Sequence, residues 1–133
     1  MSKKSVLGLD ENIAGLLCYV AGTIFILAYN GGFKGLLGCL IGSVATGVVM
    51  LVMERSNRFV RFHALQSILW FVLMTAAYFL ASMIGFLPFM GLLKWLVGVL
   101  HFAVSIYLMY MAYKGNMFKL PMIGDVVAEQ INK

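Results

Sequence analysis

Charge is what this chain has least of. Of its 133 residues 11% are charged and 62% are hydrophobic. A soluble domain carries about 25% charged residues, enough to clothe its surface. The shortage excludes that solution and fits a protein whose surface faces lipid. Acids are scarcer than bases, five against ten. Asp10, Glu11, Glu54, Asp125 and Glu129 all lie outside the long apolar runs, so no pair of carboxylates stands ready for acid–base chemistry within one.

Cysteine is nearly absent too. Cys18 and Cys39 sit inside apolar segments, with no Cys-x-x-Cys or Cys/His cluster, so metal and redox chemistry are not expected. No serine occupies a nucleophile-elbow pattern. The glycines lie in apolar segments rather than in a phosphate-binding loop. The chain reads as non-catalytic, with no cofactor. Its net charge of +5 would suggest nucleic acid in a soluble protein. Here the positive charge marks the cytoplasmic side of a membrane, and no nucleic-acid partner is expected.

What the sequence does hold is long uncharged stretches. Residues 12–29, 35–53, 64–85 and 92–113 read as four spans. The first covers about 27 Å at the helical rise, close to the hydrocarbon thickness. The stretches are apolar all round rather than alternating, so helices are expected and barrel strands are not. Local signals agree with these bounds. Asp10 and Glu11 suit a first helical turn, and Asn30-Gly31-Gly32 is a strong turn. Ser56 or Asn57 suits an N-cap, Pro88 ends the third span, and Gly115 suits the left-handed position after the fourth. Lys3 and Lys4 before an apolar run resemble a signal peptide, but Asp10 and Glu11 intervene, so the first span reads as retained. Residues 116–133 read as an amphipathic segment on the membrane surface. The expected fold is an all-α membrane protein, a four-transmembrane-helix bundle with a short C-terminal amphipathic interfacial segment, in one domain.

An even span count puts Lys3, Lys4, Arg55, Arg58, Arg61, Lys114, Lys119 and Lys133 on one side. Only Lys34 and Lys94 fall on the other. Eight against two places both termini in the cytoplasm and the protein in the cell membrane. Aromatic residues mark the same boundaries, with Tyr29, Phe86, Phe89 and Trp95 at one interface and Phe59, Phe62, Tyr110 and Tyr113 at the other.

The run 54–67 is the dense polar interruption and holds all three arginines. Its part Phe59-Val60-Arg61-Phe62-His63-Ala64-Leu65-Gln66-Ser67 resembles the signature of a widespread bacterial and archaeal family of small membrane proteins without assigned function. That family is similar to the Tic-twenty-like channel subunit of the chloroplast inner-envelope import machinery. Leu9-Asp10-Glu11-Asn12-Ile13-Ala14-Gly15-Leu16-Leu17-Cys18-Tyr19 resembles the family's start. Phe118-Lys119-Leu120-Pro121-Met122-Ile123-Gly124-Asp125 resembles its end. Relatives often have a shorter interval between the first two motifs, with room for one span. The resemblance implies a link to protein translocation, as a conduit component or a scaffold.

Several residues invite a function. Gly15 with Gly22, and Gly38 with Gly42, fall on small helical faces that let backbones approach in lipid, either within the bundle or in a homo-oligomer. On the fourth span Lys94, Gly98, His101 and Ser105 form one stripe, and with Gln66 they are the candidates for an intramembrane polar site. Such a stripe serves either a transported ion or solute or a hydrogen-bonded helix contact. Arg58, Arg61, His63 and Lys119 are candidates for contact with anionic lipid headgroups or with a partner in a larger membrane complex.

Overall fold

The computed structural model describes residues 3–28, 33–84 and 87–132, with the backbone alone for 25–28 and 33–36. Five helices follow in order: α1 (Glu11–Ala28), α2 (Phe33–Met53), α3 (Arg58–Met83), α4 (Met90–Tyr113) and α5 (Ile123–Ile131). Among the described residues there is no strand, only an isolated bridge between Lys4 and Asp10.

The helix ends follow from their sequences. Glu11 opens α1, where an acid meets the positive end of the macrodipole. Asn57 caps α3, its Oδ1 accepting the N–H groups of Phe59 at 3.1 Å and Val60 at 3.3 Å. Asn57→Ala leaves those donors without a partner and should cost about 1 kcal/mol in thermal unfolding of the purified protein. Gly115 closes α4 at φ +77°, a backbone conformation open to glycine. Its N–H reaches the Ala112 carbonyl at 2.9 Å, and Asn116 reaches Met111 at 3.0 Å. The Asn30-Gly31-Gly32 turn lies outside the described residues, as do Tyr29, Gly85, Phe86 and Lys133.

Packing is organised around α1 and α3. They touch one another, α2 touches both and α4 touches both, and among the described residues α2 and α4 do not meet. Glycine sets how close the helices come. A Cβ on Gly22 would sit 2.5 Å from the Phe71 ring, and one on Gly15 would sit 2.9 Å from Phe59. Both residues therefore pack α1 on α3. On α2 one line of residues is buried. The buried line is Cys39, Ser43, Gly47, Met50 and Glu54, while Gly38 and Gly42 are half-buried. Gly47 is the close contact, where a Cβ would meet Ile68 at 2.5 Å and the Ala64 carbonyl at 3.1 Å. Gly47 therefore packs α2 on α3. Cys18 and Cys39 are both buried free thiols.

The span count differs from expectation. Among the described residues two helices, α3 and α4, are long and apolar enough to cross a membrane, not four. The described apolar parts of α1 and α2, Glu11–Ile24 and Leu37–Met53, are shorter. The C-terminal surface segment is also more than a float. It is a strap of extended chain leading into α5, which packs on α3 with Gly124 and Val127 buried. Its amphipathic pattern is spent on the protein itself, and Met122 and Val126 are left facing outward.

Candidate functional site

One end of the bundle gathers most of the polar contacts. Asn57 Nδ2 donates to Glu11 Oε2 at 3.3 Å, tying the start of α3 to the start of α1. Asn12 Nδ2 donates to the Tyr113 carbonyl at 3.1 Å, tying α1 to the end of α4. Val6 N–H donates to Glu54 Oε1 at 2.6 Å, tying the N-terminal loop to the end of α2. The N-terminal loop, the central turn and the end of α4 therefore share one end of the molecule, as the charge pattern implied.

Just above this end lies the first buried cluster. The Tyr19 hydroxyl and His63 Nδ1 are 3.2 Å apart. Gln66 Nε2 donates to the Tyr19 oxygen at 3.4 Å and to the Phe118 carbonyl at 3.0 Å. The Leu120 N–H donates to Gln66 Oε1 at 3.4 Å. In an extended chain, a carbonyl and an N–H two residues apart lie on the same edge. The Gln66 carboxamide thus pairs with the strap as a neighbouring strand would. Three aromatic rings, Tyr19, Phe59 and Phe62, present edge-on to His63 at centroid distances of 5.9, 4.6 and 5.4 Å. His63 Nε2 is buried without a hydrogen bond, though the backbone of Asn116 faces the ring.

A second cluster lies deeper, between α3 and α4. Trp70 Nε1 donates to Ser105 Oγ at 3.1 Å, and that hydroxyl donates to the His101 carbonyl at 2.7 Å. The His101 ring packs edge-on against Trp70 at 5.7 Å and Phe71 at 4.9 Å. His101 Nε2 and Thr75 Oγ1 are buried and unpartnered.

These positions regroup the sequence candidates. Gln66 does not join His101 and Ser105; it serves the strap. The proposed stripe is only half a contact. Ser105 and His101 face α3, but a Cβ on Gly98 would meet nothing within 4 Å. His63, expected at a lipid or partner surface, is fully buried, because its spacing from Val60 and Gln66 puts all three on the bundle-facing side. Arg58 is exposed. Arg61 donates to the Arg55 carbonyl at 3.4 Å. Asp125 pairs with Lys119 at 3.3 Å rather than with an arginine, an exposed contact worth about 1 kcal/mol or less. Tyr19, Trp70 and Glu54 were missed as site residues. Their signal was a polar atom within or beside an apolar run, which burial alone turns into a constraint.

Chemically the two clusters bind helices together. Ser105 meets His101 through the backbone rather than the ring, so this pair is not a nucleophile with its base. Among the described residues no three His, Cys, Asp or Glu side chains gather to hold a metal ion.

Comparison with known proteins places the chain. The model of the magnetosome magnetite crystal formation protein family matches residues 10–127. A UPF0132 membrane protein of Methanocaldococcus jannaschii is 38% identical over 98% of this chain and 96% of its own length. A UPF0132 membrane protein of Archaeoglobus fulgidus is 33% identical over 92% of this chain and 97% of its own length. No solved structure matches. None of these names carries an import function, and nothing in the comparisons links the chain to the chloroplast channel subunit. With nearly its whole length matched, and with relatives named as membrane proteins, the chain belongs to the magnetosome magnetite crystal formation protein family, in company with archaeal UPF0132 membrane proteins.

Proposed function

We propose that this protein is a non-catalytic scaffold of the cell membrane that acts with partners or as an oligomer and forms no pore by itself. The observation that carries this reading is how the buried polar groups are used. Tyr19 is engaged with His63 and Gln66, Gln66 with the strap, and Trp70 with Ser105, in two separate clusters. Between and around them the helices offer aliphatic and aromatic surface. A conduit for solute or unfolded chain needs a continuous wet wall, because unpaired backbone groups are costly in hydrocarbon.

In this reading α1 and α2 cross the bilayer beside α3 and α4, giving four passes with both termini cytoplasmic. The shared polar end of the molecule and the eight-to-two bias of basic residues support it. Arg55, Arg58 and Lys114 then stand exposed at the cytoplasmic headgroups, where anionic lipid is worth about 1 kcal/mol per basic residue. Purified protein shown to be monomeric should give no unitary currents in planar bilayers. Steady currents from such a preparation would overturn the scaffold. They would favour transport along α4, the reading that the unpartnered Nε2 of His101 supports, and His101→Ala should then abolish them.

A further inference from the structure

Glu54 is the one buried acid that no described contact explains. It sits at the end of α2 with 0% of its surface exposed. Its Oε1 accepts a single hydrogen bond, from the Val6 N–H at 2.6 Å. Its Oε2 is buried with no partner, and no ion pair to Glu54 occurs among the described residues. The neighbouring Ser5 is buried too, and its Oγ is likewise unpartnered. A carboxylate removed from water without a counter-charge is among the most unfavourable arrangements in a protein. The carbonyl end of α2 adds negative potential. The N–H groups at the start of α3 bring no relief, since those of Phe59 and Val60 are directed to Asn57.

The N-terminal loop closes on itself through Ser5 N–H to the Leu9 carbonyl at 2.7 Å and Gly8 N–H to the Ser5 carbonyl at 2.9 Å. Gly8 takes φ +75° to make that turn. Glu11 N–H anchors the loop's base on the Lys3 carbonyl at 3.0 Å. The Ser5 hydroxyl follows the same loop as Val6, one residue before the N–H that Glu54 already holds. Yet the two orphan oxygens do not bond each other. Water there would satisfy hydrogen bonds but leave the charge buried. A hard cation satisfies both, because oxygen ligands suit it and its charge meets the carboxylate.

We propose that Glu54 and Ser5 form a binding site for a monovalent cation, sodium or potassium, closed under the N-terminal loop. One carboxylate balances one positive charge, so the site is matched to a monovalent ion rather than to calcium or magnesium. Occupation would fasten the N-terminal loop to the α2–α3 turn and stiffen the cytoplasmic end of the scaffold.

The test uses the full chain in detergent micelles at neutral pH and constant ionic strength. Thermal unfolding is followed while sodium or potassium chloride replaces N-methylglucamine chloride, with magnesium chloride as a further arm. The expected result is a saturable rise in Tm of about 5 °C with one of the two monovalent ions. Glu54→Gln should abolish the rise, and Ser5→Ala, which keeps the charge, should move its midpoint to higher ion concentration. If Glu54→Gln does not fold, Ser5→Ala alone decides. Indifference of the wild-type Tm to cation identity would overturn the site. A wild type indifferent to cations with a Glu54→Gln variant of equal stability would show that a proton fills the niche, which also overturns it. A response to magnesium alone would overturn the monovalent assignment.

Discussion

Gln66→Ala should loosen the C-terminal strap and destabilise the protein by about 3 kcal/mol, the largest effect of any single polar substitution. The carboxamide is fully buried and takes part in three hydrogen bonds, to the Tyr19 hydroxyl, the Phe118 carbonyl and the Leu120 N–H. Each such bond contributes about 1 kcal/mol net. Truncation also leaves the Leu120 N–H and the Tyr19 hydroxyl facing an apolar cavity, where an unmet polar group costs about 1–3 kcal/mol. Part of that loss is recovered when the strap swings away on Gly115 and its backbone meets water. Two measurements check this. Thermal or denaturant unfolding in micelles reads the stability, and limited proteolysis between 116 and 121 reads the strap. Wild-type protein should resist cleavage there and Gln66→Ala should be cut rapidly. An unchanged cleavage rate would show that Leu120 and Val127, both buried, hold the strap without the amide.

Gly22→Ala and Gly98→Ala should move stability in opposite directions, although both add one methyl group to an apolar helix. At Gly22 the new Cβ falls 2.5–2.6 Å from two atoms of the Phe71 ring. Phe71 is itself fully buried and packs against His101, so it has no free direction in which to move. Overpacking of this kind costs about 1–3 kcal/mol. At Gly98 nothing lies within 4 Å, so the methyl enters open space. There only the backbone term remains, and alanine in place of glycine inside a helix is favourable by about 0.5–1 kcal/mol. Unfolding of both variants in the same detergent compares them directly. A destabilising Gly98→Ala would mean that the outer part of α4 packs against another chain, which bears on the oligomeric state.

Much of the fold was legible because lipid simplifies the code. A helix in hydrocarbon must be apolar along its length, so residues 64–85 and 92–113 announced α3 and α4 within a few positions. Caps were legible for the same local reason. Asn57 and Gly115 act through their own backbone geometry and need no distant partner. The stretches 12–29 and 35–53 likewise fall within two residues of the bounds of α1 and α2. The polar clusters were only half legible. His63, Gln66, His101 and Ser105 stood out as polar atoms near or within apolar runs. Their grouping did not, because spacing along one helix says nothing about which neighbour a face meets.

The sequence by itself determined that this is an apolar, helical chain with its bases gathered toward one end, since composition, span length and charge order are properties of the chain alone. Tertiary structure decided the rest. It made Gly47 a close contact of α2 on α3, because only the partner helix decides which small residue is met. It took His63 out of the interface and into the core, and it turned Gln66 from a candidate path-lining group into the fastening of the strap. It left Glu54 buried beneath the N-terminal loop with one oxygen unpaired. Each of these outcomes depends on groups far apart in sequence arriving at hydrogen-bond or van der Waals distance, and that is information which only packing supplies.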